Sequence, residues 1–135
     1  MLGAFLAGLG AVLACLVAIP FGSYLRPSPR REGRRTRFDS AALPPGGALL
    51  LRLEGRPLLV LSGPSGEYRA LWARCPHLGC TVVWDPSSGR ILCPCHGGRF
   101  DARGKLLAGP PPLDLAPAAV RFTRQESGAV VVSEF

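Results

Sequence analysis

The sequence is poor in aromatic residues, which make up only 7% of its 135 residues, while glycine and proline number 17 and 14. It also shows no repeat and, beyond its first segment, no amphipathic helical pattern of useful length. These absences argue against a helical bundle or a coiled coil. The high content of glycine and proline is typical of an all-β protein, in which short strands are joined by tight turns that contain these residues.

The positive charge is confined to one segment. The chain has 16 basic and 9 acidic residues, for a net charge of +7, and residues 26–37 alone hold six arginines and one glutamate. The remaining residues carry only 10 basic and 8 acidic groups. No basic face is left for reading nucleic acid, so we expect no nucleic-acid partner. A DNA-binding arm at residues 26–37 is the alternative.

Residues 1–25 are predicted to form a transmembrane anchor helix. No charged side chain precedes Arg26, and the uncharged stretch exceeds the length of about 20 residues that a helix needs to span a bilayer. A cleaved secretory signal would have a basic start and a shorter apolar stretch. A lipoprotein anchor at Cys15 is disfavoured because the apolar run continues through Phe21. Cys15 is then a small apolar packing residue.

Residues 26–37 mix proline, glycine and arginine, which predicts a hinge linker lying near anionic lipid head groups. Residues 38–135 form the second domain, whose short apolar segments alternate with turn residues. We predict strands at 48–54, 57–62, 68–73, 81–84, 90–93, 99–101, 105–107, 120–124 and 129–133.

Two short segments hold four of the five cysteines and both histidines of the chain. They read Cys75-Pro76-His77-Leu78-Gly79-Cys80 and Cys93-Pro94-Cys95-His96-Gly97-Gly98. Thiolate and imidazole are ligands suited to zinc or iron. Two disulfides would leave both histidines without a role. A zinc site could combine Cys75, and His77 or Cys80, with Cys93 and His96. A two-iron cluster could use two cysteines on one iron and two histidines on the other.

The pattern Cys-x-His, fifteen residues, then Cys-x-x-His resembles the signature of the Rieske iron–sulfur proteins. The additional Cys80 and Cys95 resemble the membrane quinol-oxidising type, since Rieske ferredoxins and ring-hydroxylating oxygenases generally lack that pair. The resemblance covers the chain from about residue 38 onward. It implies a small antiparallel β-sandwich head with a [2Fe-2S] cluster-binding subdomain, as in the iron–sulfur subunit of cytochrome bc-type complexes.

The resemblance also implies a role for each residue. Cys75 and Cys93 would be the thiolate ligands of the inner iron, and His77 and His96 the imidazole ligands of the outer iron. Cys80 and Cys95 would form a disulfide between the two segments. His96 would face the quinol. The run from Gly109 to Pro112 would cover the cluster as a proline loop, although a polyproline spacer is the alternative.

The function implied is electron transfer. The chain would take an electron from quinol beside a cytochrome b-type subunit and pass it to a c-type cytochrome, and it would turn over only within that complex. The alternatives are the small Rieske subunit of a molybdenum oxidase such as arsenite oxidase, and a stand-alone electron carrier.

The expected side of the membrane depends on conflicting signals. The arginines after the helix favour a cytoplasmic head by the positive-inside rule. A Cys80–Cys95 disulfide requires an oxidising compartment, which favours a single-pass protein with its head on the periplasmic side of a bacterial plasma membrane. Family members usually carry a twin-arginine signal before the helix, whereas Arg30-Arg31 follows it. We therefore expect an extracytoplasmic head and a true start upstream of Met1.

The sequence departs from the high-potential members of the family after the second histidine. Those members have Gly-Ser-x-Tyr, whose hydroxyls donate to cluster sulfur, whereas this chain has Gly97-Gly98-Arg99-Phe100. Donors of this kind stabilise the reduced cluster. Their absence predicts a low midpoint potential, matched to menaquinol, and Gly98→Ser and Phe100→Tyr are expected to raise it stepwise.

Overall fold

The computed structural model describes residues 2–25 and 35–135. The first unit is a helix, α1 (Leu2–Leu25), with Pro20 inside it. Within the part of the chain that the structure describes, no helix is long and apolar enough to cross a bilayer. The transmembrane anchor therefore stays a prediction. Most of the predicted linker, residues 26–34, lies outside the described residues.

Residues 35–135 form a head of antiparallel strands, which confirms the all-β class predicted for this part of the chain. A short 3-10 turn at Ser40–Ala42 follows the first strand, and Asp39 caps it by accepting from the N–H of Ala41. The strands are β1 (Arg35–Asp39), β2 (Ala48–Leu53), β3 (Arg56–Ser62), β4 (Tyr68–Trp72), β5 (Val83–Asp85), β6 (Arg90–Leu92), β7 (Arg99–Phe100), β8 (Leu106–Ala108), β9 (Val120–Arg124) and β10 (Ala129–Glu134).

The strands make three sheets, with the orders β1-β10-β9, β2-β3-β4 and β5-β6-β7-β8. The second sheet contributes to two hydrophobic cores because side chains alternate across a strand. In β3, Leu58 and Val60 enter one core, while Leu59 and Leu61 enter the other. The first core includes residues of the β1-β10-β9 sheet, and the second includes Ile91 and Phe100 together with Cys75 and Cys93. The cysteine segments are therefore built onto the second core.

The predicted strands are all present, with boundaries that shift by at most two residues. Sequence reasoning missed β1, which begins at Arg35, inside the segment predicted as linker, and pairs with β10. In β1, Arg35 and Arg37 are exposed, whereas Thr36 is half-buried and Phe38 is buried. The sequence therefore alternates as a strand does, but its many arginines hid this alternation.

Candidate iron–sulfur site

The two cysteine segments fold into loops with the same backbone hydrogen bonds. In the first loop, the N–H of Cys75 donates to the carbonyl of Cys80 at 2.8 Å, and the N–H of Gly79 donates back to the carbonyl of Cys75 at 2.9 Å. In the second, Cys93 N–H donates to Gly98 at 2.8 Å, and Gly97 N–H donates to Cys93 at 3.1 Å. Each loop therefore begins at a cysteine and is closed by the residue five positions later.

A glycine occupies the fifth position of each loop for a conformational reason. Gly79 has φ +78° and Gly97 has φ +72°, a left-handed backbone that other residues adopt only at a cost. The repeated pattern of a cysteine followed four positions later by a glycine was visible in the sequence. It was the signal for two equivalent loops, and sequence reasoning did not use it.

The loops bring the predicted thiolate ligands together in the interior. Cys75 and Cys93 are 2% and 3% exposed, and neither takes part in a disulfide. The pKa of the Cys75 thiol is raised by its burial, while a hydrogen bond from the backbone of His77 lowers it and the adjacent Cys93 side chain raises it further. Two buried thiols in contact favour a bound cation, which would offset the cost of their thiolate charges.

The predicted imidazole ligands lie on the outer side of the loops. The rings of His77 and His96 meet edge to face, with 4.9 Å between their centroids. His96 is exposed, whereas His77 is half-buried. The Nδ1 atom of His77 is buried and has no hydrogen-bond partner in the part of the chain that the structure describes. A buried ring nitrogen of this kind is available to bind a metal.

A disulfide joins the loops. Cys80 and Cys95 are bonded, with 6.6 Å between their Cα atoms. Their sulfur atoms and that of Cys93 lie within 4.8 Å of one another, but the disulfide leaves Cys93 as the only thiol among these three. The interpretation as two disulfides is therefore wrong, because Cys75 and Cys93 are free. A zinc site that includes Cys80 is excluded in this disulfide-bonded state.

The segment from Gly109 to Pro112 packs on the second loop and is not a spacer. Pro111 is buried, whereas Pro110 and Pro112 are exposed. A Cβ atom at Gly109 would lie 2.7 Å from the Cα of Gly98, so the two backbones are in contact. Beyond the segment, the Asp114 carboxylate accepts from the N–H of Leu106 at 2.7 Å. The proline loop is therefore fixed to the second loop and to β8.

The structure also shows the surroundings of the two positions that lack hydroxyl groups. Phe100 is fully buried in the core that contains Cys75 and Cys93. Gly98 is buried under Pro111, and a Cβ there would lie 2.7 Å from the Cγ of that proline. The predicted gain from Gly98→Ser alone assumed space that the site does not offer.

Comparison with known proteins agrees with this geometry. Residues 37–119 match the family described as the Rieske [2Fe-2S] domain. The chain belongs to the Rieske family. The two buried thiols, the unpaired imidazole nitrogen and the second imidazole fit a mixed cysteine–histidine cluster. The cofactor of this Rieske chain is a [2Fe-2S] cluster, and this finding replaces the zinc interpretation.

Relatives of this Rieske chain include proteins named as iron-sulfur subunits of cytochrome b6-f complexes. A protein of Prochlorococcus marinus strain AS9601 named cytochrome b6-f complex iron-sulfur subunit is 40% identical over 90 residues, covering 65% of this chain and 49% of that protein. The subunit of the same name from Chlorobaculum tepidum is 32% identical, covering 93% of this chain and 69% of that protein. The chain spans about half the length of the Prochlorococcus and Synechococcus relatives that it matches.

A solved structure described as a hyperthermophilic respiratory Complex III is also similar. Its matching chain is 26% identical, with a TM-score of 0.61, and the match covers 96% of this chain and 99% of that one. The similarity extends over nearly the full length of both chains. It agrees with the expected resemblance to the iron–sulfur subunits of cytochrome bc-type complexes.

Proposed function

We propose that this Rieske chain is the electron-transfer subunit of a membrane quinol-oxidising complex of the cytochrome bc type. The observation that carries the proposal is the Cys80–Cys95 disulfide between the two loops, which lies directly against the buried Cys93 thiol. A disulfide between the two loops is the feature expected of the quinol-oxidising type. The names of the relatives from Prochlorococcus and Chlorobaculum support the same assignment.

The proposed thiolate ligands lie in the interior, and the proposed imidazole ligands lie nearer the surface. Cys75 and Cys93 would hold the inner iron as thiolates, shielded from water by the second core. His77, through its unpaired Nδ1, and His96 would hold the outer iron. When bound, the cluster supplies one-electron redox chemistry at roughly −150 to +300 mV.

His96 is the residue proposed to meet the quinol. Its side chain is exposed, so a quinol hydroxyl can reach its ring without passing through protein. The ring nitrogen that does not bind metal can accept the quinol proton as the electron leaves the quinol. The second electron and the second proton of the quinol would go to a cytochrome b-type partner. This chain would then deliver its own electron to a c-type cytochrome.

The direct test is extraction in mild detergent followed by identification of the copurifying subunits. We expect a b-type haem in the complex and quinol-dependent reduction of cytochrome c. A Cys80→Ala complex should retain the haem but lose most of that activity. A copurifying molybdopterin subunit would replace the proposal with the oxidase alternative. A chain purified without partners would favour a stand-alone carrier.

We also propose that residues 1–25 anchor the chain in a membrane, with the head on the extracytoplasmic side. The support for an anchor is the absence of charge before Arg26, and the support for the side is the disulfide. Protease added to intact spheroplasts should therefore digest the head. A head that is cut only after lysis would place it in the cytoplasm.

We further propose a midpoint potential in the lower half of the family range and menaquinol as the donor. The support is the absence of hydroxyl groups at Gly98 and Phe100, beside the cysteine that the second loop contributes. A redox titration followed by electron paramagnetic resonance measures this potential. A midpoint near the top of the roughly −150 to +300 mV range would remove the case for menaquinol.

A further inference from the structure

The contact between Gly98 and Pro111 leaves no space for a side chain at position 98. A Cβ there would lie 2.7 Å from the Cγ and 3.1 Å from the Cδ of Pro111, and 3.4 Å from the Cβ of Cys93. A proline ring cannot swing aside as the end of a long side chain can, because its ring fixes its conformation. Any side chain at position 98 therefore requires Pro111 itself to move.

Pro111 is held in place from both ends of its loop. Before it, a Cβ at Gly109 would lie 2.7 Å from the Cα of Gly98 and 3.0 Å from the carbonyl oxygen of Gly97. After it, the N–H of Leu115 donates to the carbonyl of Gly104 at 2.8 Å. The proline ring therefore packs against Gly98, where a Cβ atom would also lie 3.4 Å from the Cβ of Cys93.

We propose that Pro111 is a positioning residue, which occupies the volume that a side chain at position 98 would fill and places an apolar ring beside Cys93. The inference rests on the proposed role of Cys93 as a ligand. Its consequence is a mutual exclusion: a serine at position 98 and this placement of Pro111 cannot occur together. The missing hydroxyl donor is then a result of how the proline loop packs. An apolar cover also keeps water and chelators from the sulfur.

The first test compares two neighbouring prolines in the purified, cluster-loaded chain. Pro111→Ala removes the buried ring, and Pro112→Ala removes an exposed one from the same loop. Iron release to a chelator should be about tenfold faster for Pro111→Ala and should stay within about twofold of the wild type for Pro112→Ala. Equal rates for the two variants would overturn the proposal.

The second test is a double-mutant cycle between positions 98 and 111. Gly98→Ser alone should accelerate iron release, because the new side chain displaces Pro111. In Gly98→Ser/Pro111→Ala the smaller alanine gives the serine room, so release should be slower than the product of the single effects. The double variant should also have a higher midpoint potential than Pro111→Ala, because the serine hydroxyl can then donate toward Cys93. Multiplicative effects on release and an unchanged midpoint would contradict mutual exclusion.

A wild-type chain that never shows the reduced-state Rieske resonance would instead defeat the proposed function. The packing inference would still be decided in that case, by alkylation of the Cys93 thiol in the cluster-free chain. Mass spectrometry of the peptide containing Cys93 should show faster reaction in Pro111→Ala than in Pro112→Ala. The same rate in both variants would show that Pro111 does not cover this sulfur.

Discussion

The two cluster loops have the same backbone and different surroundings. Both start at a buried cysteine and turn at a glycine with positive φ. In the first loop, Pro76, His77 and Gly79 are half-buried. In the second, residues 94–97 are all exposed and the proline loop contacts the following Gly98.

The difference shows how one loop backbone can carry two different arrangements of histidine and disulfide cysteine. The hydrogen bonds use only the cysteine, the glycine and the closing residue, so the positions between them are free to vary. The first loop places histidine at its third position and a disulfide cysteine at its sixth, whereas the second places the disulfide cysteine third and histidine fourth. The backbone hydrogen bonds thus shape each loop, while the other residues of the loop supply the histidine ligand and the disulfide cysteine.

The largest expected effect distinguishes the proposed iron ligands from the two cysteines that form the disulfide. Replacement of any of the four proposed ligands should abolish the cluster, because each change removes a bond to iron; the ligands are Cys75, His77, Cys93 and His96. Replacement of Cys80 or Cys95 by alanine should leave a labile cluster with a shifted potential, since the loops keep their own hydrogen bonds. Iron content and electron paramagnetic resonance measure both outcomes.

The comparison of Cys75→Ala with Cys80→Ala is the sharpest, because both residues belong to the first loop. Complete and equal loss of iron in these two variants would show that the distinction between ligands and disulfide cysteines is wrong. Cys15→Ala is the matched control, since Cys15 is an exposed free cysteine outside the head. It should keep wild-type iron content.

The next prediction tests whether the backbones of the two loops are equally important for holding the cluster. Gly79→Ala and Gly97→Ala should each lower the free energy of unfolding by about 1–2 kcal/mol, because alanine is strained in the left-handed conformation. Gly89→Ala, at a left-handed position in the turn before β6, is the control for strain alone. Denaturant unfolding should give similar losses for all three, while only the loop variants should release iron faster. Faster release from Gly89→Ala as well would indicate a general loss of stability.

Much of the head could be predicted from the sequence because its signals are local. Turn residues separate the apolar segments, so the strand from Val120 to Arg124 was predicted with its observed boundaries. The cysteine and histidine pattern likewise gave the family and its cofactor. The disulfide between Cys80 and Cys95, expected from the resemblance, is present.

The features that were missed depend on contacts between distant parts of the chain. Strand β1 is stabilised by its pairing with β10, nearly a hundred residues away, and its own composition is mostly charged. The lack of space at Gly98 arises from Pro111 on another loop. Sequence reasoning identified the missing hydroxyl but had no means of identifying the proline that fills its place.

A smaller effect is expected from adding a hydroxyl behind the second loop. Phe100→Tyr places a donor in the core that contains both free cysteines of the head, and a donor to cluster sulfur favours the reduced state. A differential stabilisation of about 1.4 kcal/mol corresponds to about 60 mV for one electron, so we expect a rise of this order or less. Phe122→Tyr, in the other core region, is the matched control and should leave the midpoint unchanged. A lower midpoint in Phe100→Tyr would contradict the donor argument.

The smallest effect lies outside both loops, in the turn between β5 and β6. The hydroxyl of Ser87 donates to Asp85 at 2.6 Å and that of Ser88 at 2.5 Å, and these bonds hold the pKa of the Asp85 carboxyl below its ordinary value. The ionised carboxylate therefore contributes a small stabilisation above the pKa of the unfolded chain, which is lost as the pH falls through the lowered folded pKa. Asp85→Asn should unfold at slightly lower denaturant concentration than the wild type at neutral pH, and the difference should shrink as the pH falls through the lowered pKa of the folded carboxyl. Iron content, measured at neutral pH, should be the same in both, because this turn supplies neither the cluster loops nor the ligands. Loss of iron from Asp85→Asn at neutral pH would show that the cluster loops depend on the rest of their sheet, and that their paired hydrogen bonds do not suffice to hold them.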